Sequence, residues 1–301
     1  MFVRRLVEAR WSVRALCRRA APQPDGVVVV IADVLDHEAV RRAAESVDVV
    51  FHLAARVDSL STPHDDGMRR VNVEGTASVV NAARAEGVGR VVYLSSTAVY
   101  GPTSGSPVDE RCTPAPESEY ARTKLEAERI ALCEGAGVVL RAAAVYGPHA
   151  PGRYLALARF HRYGLLQLVG GNRRTLVFEA DLADAAIVAA RHPAAGGRIF
   201  NVTDGAVHSL AAVTSAIRAA LGRTAPALRV PVEWPASLVG LVAGRGDPSS
   251  RGAIVSAIRK LAEDSAVDGS AIGRELGFAP SWPLEAGWRA TIDAWRAAGR
   301  L

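Results

Sequence analysis

The stretch RVVYLSS, residues 90–96, places four apolar residues in a row and then two serines. It does not alternate apolar with polar, so a strand built from it is buried on both faces. The same pattern recurs on either side, in SVRALC (12–17), GVVVVIAD (26–33), VDVVFHLAA (47–55) and GVVLRAAAVYG (137–147). Between these runs lie amphipathic stretches, HEAVRRAAES (37–46), a long helix over 66–87 that stops at Gly87, and a helix over about 118–134. A polar, proline-rich loop separates residue 96 from about residue 117. Buried strands alternating with helices predict an α/β fold, a doubly wound parallel sheet with helices on both faces.

The second half is less regular. Helices are expected near 152–163, 181–191, 209–221, 235–244, 252–262 and 285–298, with short strands near 174–178, 198–202 and 228–232. We expect a dinucleotide-type domain over 1–147 and a smaller C-terminal lobe over 148–301, partly interleaved with it. The cleft between them, at the carboxyl ends of the strands, is where such sheets bind ligands.

Composition narrows the function. Of 301 residues, 49% are hydrophobic and 22% charged, which is a globular composition. No run approaches the roughly 18 apolar residues of a membrane span, and MFVRRLVEAR lacks the apolar centre of a secretion signal. A cytoplasmic protein is expected. Three dispersed cysteines and seven scattered histidines form no metal-ligand spacing, so no metal and no disulfide framework is expected. The net charge of +5 carries no basic block, which argues against nucleic acid and fits an anionic small substrate.

The 36 basic residues comprise 34 arginines and two lysines, Lys124 and Lys260. Lys124 belongs to YARTK (120–124), where Tyr120 and Lys124 share one helical face a turn apart. In isolation that spacing also describes a solvated helix edge. In a chain that otherwise uses arginine, it marks a place where arginine will not do. A phenol of pKa about 10 is a poor base at neutral pH, and an adjacent ammonium favours the phenolate. Ser96, at the end of the preceding strand, can orient the same substrate oxygen. Tyrosine can then exchange the proton of an alcohol whose hydride moves to or from a nicotinamide.

Ser96, Tyr120 and Lys124 in this order resemble the extended short-chain dehydrogenase/reductase family, of the NAD-dependent sugar-nucleotide epimerase/dehydratase type. The resemblance implies a Rossmann-type sheet, NAD or NADP as cofactor, and these three as catalytic residues. It extends through ADVLD (32–36), where Asp33, with Val34 beside it, would hold the adenine. In FHLAA (51–55), Ala54 and Ala55 would pass along the cofactor. VNVEGT (71–76) puts Asn72 at the family's structural asparagine, near the cofactor. LRAAAVYGP (140–148) would lie beside the nicotinamide with Val145, although Ala142 stands where the family usually has proline. The stretches 172–185 and 267–280 resemble the family's C-terminal landmarks. His52, inside an apolar strand, reads as a satisfied core histidine.

The segment YGLLQLVGGNRRTLVF (163–178) is similar to the branch acting on UDP-linked hexosamines, which implies a nucleotide-sugar substrate. Arg174 would then clamp the diphosphate, as a guanidinium does bidentately; a strand arginine facing water is the alternative. Thr97 would assist at the substrate. Arg153 stands where the family often has asparagine, which leaves sugar and base identity open. No membrane or nucleic-acid partner is implied, and self-association as a homodimer stays open. Two other functions fit the same chain, a non-catalytic relative that binds nucleotide or a partner protein, and a reductase or dehydrogenase of a steroid-like or phenolic alcohol or ketone.

One family element is not found. No glycine-rich turn precedes Asp33, although such turns let backbone N–H groups approach a pyrophosphate. FVRRLV looks like the helix just after that turn, so the first strand and the turn are expected to be absent, through a start further upstream or through specialisation. The strand at 12–17 ends in ALCRR, without the acid that binds a ribose diol. Arg18 or Arg19 could meet a 2′-phosphate there, or both could be solvated. The absent strand would lie between 12–17 and 47–53. A short helix over 2–8, a disturbed sheet and poor cofactor affinity are therefore expected.

Overall fold

The computed structural model describes residues 1–57, 67–133, 135–150, 153–162, 166–232 and 263–301. The helices expected over 235–244 and 252–262 lie outside them. The chain opens with α1 (Phe2–Glu8), β1 (Arg14–Cys17), β2 (Val28–Ile31), α2 (His37–Ala44) and β3 (Val49–His52). Then come α3 (Gly67–Arg69), a π-helical turn (Arg70–Glu74), α4 (Gly75–Ala85), β4 (Arg90–Ser96), a 3₁₀ turn (Thr97–Tyr100), α5 (Glu119–Leu132) and β5 (Gly137–Ala142).

The sheet is parallel and parted. β3, β4 and β5 pair in that order, and β10 (Ile199–Val202) adds to the free edge of β5. All six residues of β5 are buried, Arg141 among them, as a strand covered on both faces requires. β1 and β2 form a separate parallel pair. Among the described strands, β1 pairs only with β2 and β3 only with β4, so the parting falls where the sequence places the absent strand. Val28 and Ile31 of the detached pair are 58% and 53% exposed.

The N-terminal residues form a helix, as the spacing of Val3, Leu6 and Val7 dictates. α1 packs on α7 (Glu179–Arg191), with Leu6 buried beside Ile187. Arg5 forks onto Asp184 at 2.9 Å from Nε and 2.5 Å from Nη2. That pair is partly solvated, so it contributes only about 0.2–1 kcal/mol. Burial of Leu6, with Phe2 and Trp11 edge-on to Phe51 of β3 at 5.4 and 5.6 Å, anchors this end more strongly.

Three expectations are corrected. The helix over 66–87 is interrupted by the π turn that carries Asn72. The strand over 137–147 breaks at Ala143, and β6 (Ala144–Tyr146) leaves the main sheet to pair with β9 (Leu176–Phe178). The strand near 174–178 divides at Thr175, because β8 (Arg173–Arg174) pairs antiparallel with β11 (His208–Ser209) instead. Three further elements escape the sequence reading: β7 (Leu166–Val169), which pairs with β12 (Leu228–Pro231), β11 itself, and α9 (Ser270–Leu276).

α6 (Arg153–His161), α8 (Leu210–Ala220) and α10 (Leu284–Ala297) close the second core with the rings of Tyr146, Tyr154, Phe178, Trp288 and Trp295. Tyr146 stacks on Trp288 at 4.8 Å. A Cβ at Gly287 would overlap the Tyr146 phenol, so only glycine lets α10 approach this closely.

Candidate active site

Ser118 starts α5, its hydroxyl accepting from Ala121 N at 3.1 Å. No glycine or proline follows until Gly135, so Tyr120 and Lys124 fall on successive turns. Lys124 is 2% exposed. Its Nζ donates to Leu94 O at 2.6 Å and lies 4.2 Å from the centre of the Tyr93 ring. α5 is thereby fixed to β4 two residues before Ser96. Ser96 ends the strand in extended conformation and caps the 3₁₀ turn, accepting from Ala98 N at 3.2 Å. Tyr120, Ser96 and Thr97 are half-buried. Burial pushes the Lys124 ammonium down to about 7, while the charge of Glu128 works in the opposite direction.

Asn72 is 1% exposed and its amide is fully engaged. Oδ1 accepts from Arg56 N at 2.7 Å, and Nδ2 donates to Arg56 O and to Thr123 Oγ1, both at 3.0 Å. It therefore ties the chain leaving β3 to the helix of Tyr120 and Lys124. The π turn supplies the register that aims this side chain at both partners, and such turns concentrate at functional sites.

His52 is buried and lies 2.9 Å from Thr76 Oγ1 through Nε2. Thr76 gives its proton to Asn72 O at 2.6 Å, so the histidine Nε2–H donates. Burial, and secondarily the charge of Lys124, holds His52 down to about 3. It is a neutral core residue, as the sequence suggests.

The remaining candidates mostly follow the carboxyl ends of parallel strands, the edge at which such sheets take ligands. Arg18 lies exposed in the bend after β1, and Ala54 and Ala55 are exposed just beyond β3. Asp33 is half-buried after β2 and accepts from Leu35 N at 3.0 Å. Val34 points into the apolar cluster with Val40, Ala44 and Val79, so only its backbone is available to a ligand. Val145 is half-buried on β6. Arg174 is 4% exposed on β8, opposite His208 and bridged to Ser265. It is the inward arginine of the pair, and Arg173 instead reaches Gly105 O. Arg153 opens α6, with its side chain outside the described residues.

Sequence reading misses Glu128 and Arg141. Both are buried, Arg141 Nη2 lying 2.7 Å from Glu128 Oε2. The signal was present, since Arg141 is a charge inside a wholly buried strand and Glu128 lies one turn beyond Lys124.

The described residues fit the nicotinamide end of a dinucleotide, with a buried lysine and a tyrosine on a helix pinned beside a serine-terminated strand. They include no glycine-rich turn to cradle a pyrophosphate; α1 is capped by Met1 with no side-chain hydrogen bond.

The sequence model of the NAD dependent epimerase/dehydratase family matches residues 1–203. A UDP-glucose 4-epimerase of Vibrio cholerae is 28% identical over 305 residues, covering 97% of this chain and 90% of that protein. A 2-alkyl-3-oxoalkanoate reductase of Stenotrophomonas maltophilia is 33% identical over 238 residues, covering 73% and 71%. In fold, the chain is similar to a UDP-glucuronic acid 4-epimerase from Bacillus cereus solved with UDP-glucuronic acid and NAD. The TM-score is 0.76 at 19% identity, over 99% of this chain and 95% of that one.

Proposed function

This chain belongs to the NAD-dependent epimerase/dehydratase family, and on that premise we propose that it acts on the hexose of a UDP-hexose or UDP-hexosamine, as a 4-epimerase, dehydratase or 4-keto-reductase. The observation that carries the reading is the fixing of Lys124 to Leu94 O, which holds the Tyr120 helix against the strand ending in Ser96.

Tyr120 takes the proton of the sugar hydroxyl as it is oxidised, and returns a proton to the ketone oxygen as it is reduced. Lys124 lowers the cost of the phenolate by its charge. Ser96 hydrogen-bonds the same oxygen and orients it. NAD, when bound, would supply the nicotinamide that takes up or returns the hydride, chemistry that no side chain supplies. Tyr120, Lys124 and Val145 would hold the nicotinamide side, Ala54 and Ala55 the middle, and Asp33 with the Val34 backbone the adenine side. Arg18 would favour a 2′-phosphate, which extends the cofactor to NADP. Arg174 and Arg153 would take the substrate diphosphate, and Thr97 the sugar.

A second reading, reduction of a ketone without a nucleotide, is favoured by the likeness to the 2-alkyl-3-oxoalkanoate reductase. Calorimetric titration with UDP-glucose, UDP-N-acetylglucosamine and a 2-alkyl-3-oxoalkanoate tests the choice. Binding of the nucleotide sugars is expected, and binding of the oxoalkanoate alone would reverse the assignment.

A further inference from the structure

We propose that Glu128, held by Arg141, is the positioning residue of this site, setting the charge and the place of Lys124. The inference rests on the reading of Lys124 as the partner of Tyr120.

Glu128 lies one turn beyond Lys124 on α5 and is 2% exposed. Arg141, in the middle of the sheet on β5, grips it from Nε at 3.0 Å and Nη2 at 2.7 Å. Ser95, next to Ser96, donates to Glu128 Oε1 at 2.5 Å. Arg141 Nη1 donates to the Tyr100 hydroxyl at 2.8 Å, and that hydroxyl donates to Asn201 Oδ1 at 2.9 Å. One carboxylate thus joins the helix of Tyr120 and Lys124, the strand of Ser96, the strand leading to Val145 and the turn that begins at Thr97.

A buried ion pair is a poor way to stabilise a fold, since apolar side chains of similar volume do as well or better. Its presence here calls for another reason, and Lys124 supplies one. Among the described residues, the groups acting on Lys124 are Glu128 on α5, Tyr93 on β4 and His52 on β3, with Tyr120 one turn earlier on α5 and Arg141 on β5 reached through Glu128. His52 is held neutral and Tyr93 is pushed up by burial, so among the described residues acting on Lys124, Glu128 is the carboxylate that supports the buried ammonium. Arg141 in turn supplies the fork that a buried carboxylate needs.

The chain has two lysines, so protein labelled with ¹³Cε-lysine gives two lysine signals, and Lys260→Arg leaves only that of Lys124. Its pH titration is followed by NMR in the Lys260→Arg background and in the same background carrying Glu128→Gln. The midpoint is expected to start at about 7 and to move down by roughly one unit when Glu128 is neutralised. Glu128→Asp, which keeps the charge opposite Arg141 but withdraws it by one methylene, should move it in the same direction by less, and it decides the matter if Glu128→Gln does not fold. An unchanged midpoint in either folded variant overturns the proposal and leaves Glu128 as packing alone. The titration needs no substrate, so a midpoint that moves while every nucleotide sugar is refused would count against the functional reading and not against this inference.

Discussion

The Asn72 side-chain amide donates to the Thr123 hydroxyl at 3.0 Å, and Thr123 lies between Tyr120 and Lys124 on the same helix. A residue on a π turn therefore controls where the helix of Tyr120 and Lys124 sits against the exit of β3. Asn72→Ala takes the amide away from Arg56 N–H and C=O and from the Thr123 hydroxyl, which keeps its own bond to Tyr120 O at 2.9 Å. It should cost about 1–3 kcal/mol in urea unfolding and slow turnover as well. Stability within a few tenths of a kcal/mol of the parent would show that water replaces the amide.

Lys124 gives the protein an unusual alkaline limb. Its folded pKa of about 7 lies below the ordinary 10.5, so between those values the unfolded chain binds the extra proton. Stability should therefore rise with pH across that window. Denaturation of the parent and of Lys124→Met between pH 7 and 10 checks this. The parent should gain stability with pH and the variant should stay level; equal slopes would mean that Lys124 is not desolvated.

His52 acts at the other end. Held at about 3 against an ordinary 6.5, it makes the unfolded chain the stronger proton binder between those values. Its contribution to stability is complete above 6.5 and is lost as pH falls toward 3. Replacing it with glutamine, which can still donate to Thr76, should flatten the fall between pH 6 and 4. An acid limb as steep as the parent's would assign the loss to carboxylates.

Arg174→Ala should weaken UDP-sugar binding by about 1.5–3 kcal/mol, the scale of a hydrogen bond to a charged group, and leave NAD binding nearly unchanged. Calorimetry with each ligand separates the two. Equal losses for both would make Arg174 a structural support of β8.

What could be read from the sequence was whatever local pattern controls. RVVYLSS announces a buried strand, YARTK a helix face, and FVRRLV a helix where a strand would complete the sheet; the structure carries all three, including the parted sheet. The features that stayed hidden depend on distant partners. The π turn at Asn72 exists because Arg56 and Thr123 lie where one extra residue brings the amide to them. The break at Ala143 exists because β9 offers Ala144–Tyr146 a new edge. Arg141 and Glu128 each stand in plain view, but their pairing is a contact between a helix and a strand that no local period encodes.

The most direct measurement follows hydride transfer itself. The protein is incubated with UDP-glucose and millimolar NAD⁺, a concentration chosen because the described residues carry no glycine-rich cradle, and the sugar products are separated while absorbance of reduced nicotinamide is recorded. The account predicts an altered hexose, or nicotinamide reduction, with the parent. It predicts loss of about 10²–10⁴ in rate for Tyr120→Phe, the scale of general acid–base catalysis, and a comparable loss for Lys124→Arg, with folded circular dichroism spectra throughout. A Tyr120→Phe variant that turns over UDP-glucose at the parent's rate would contradict it.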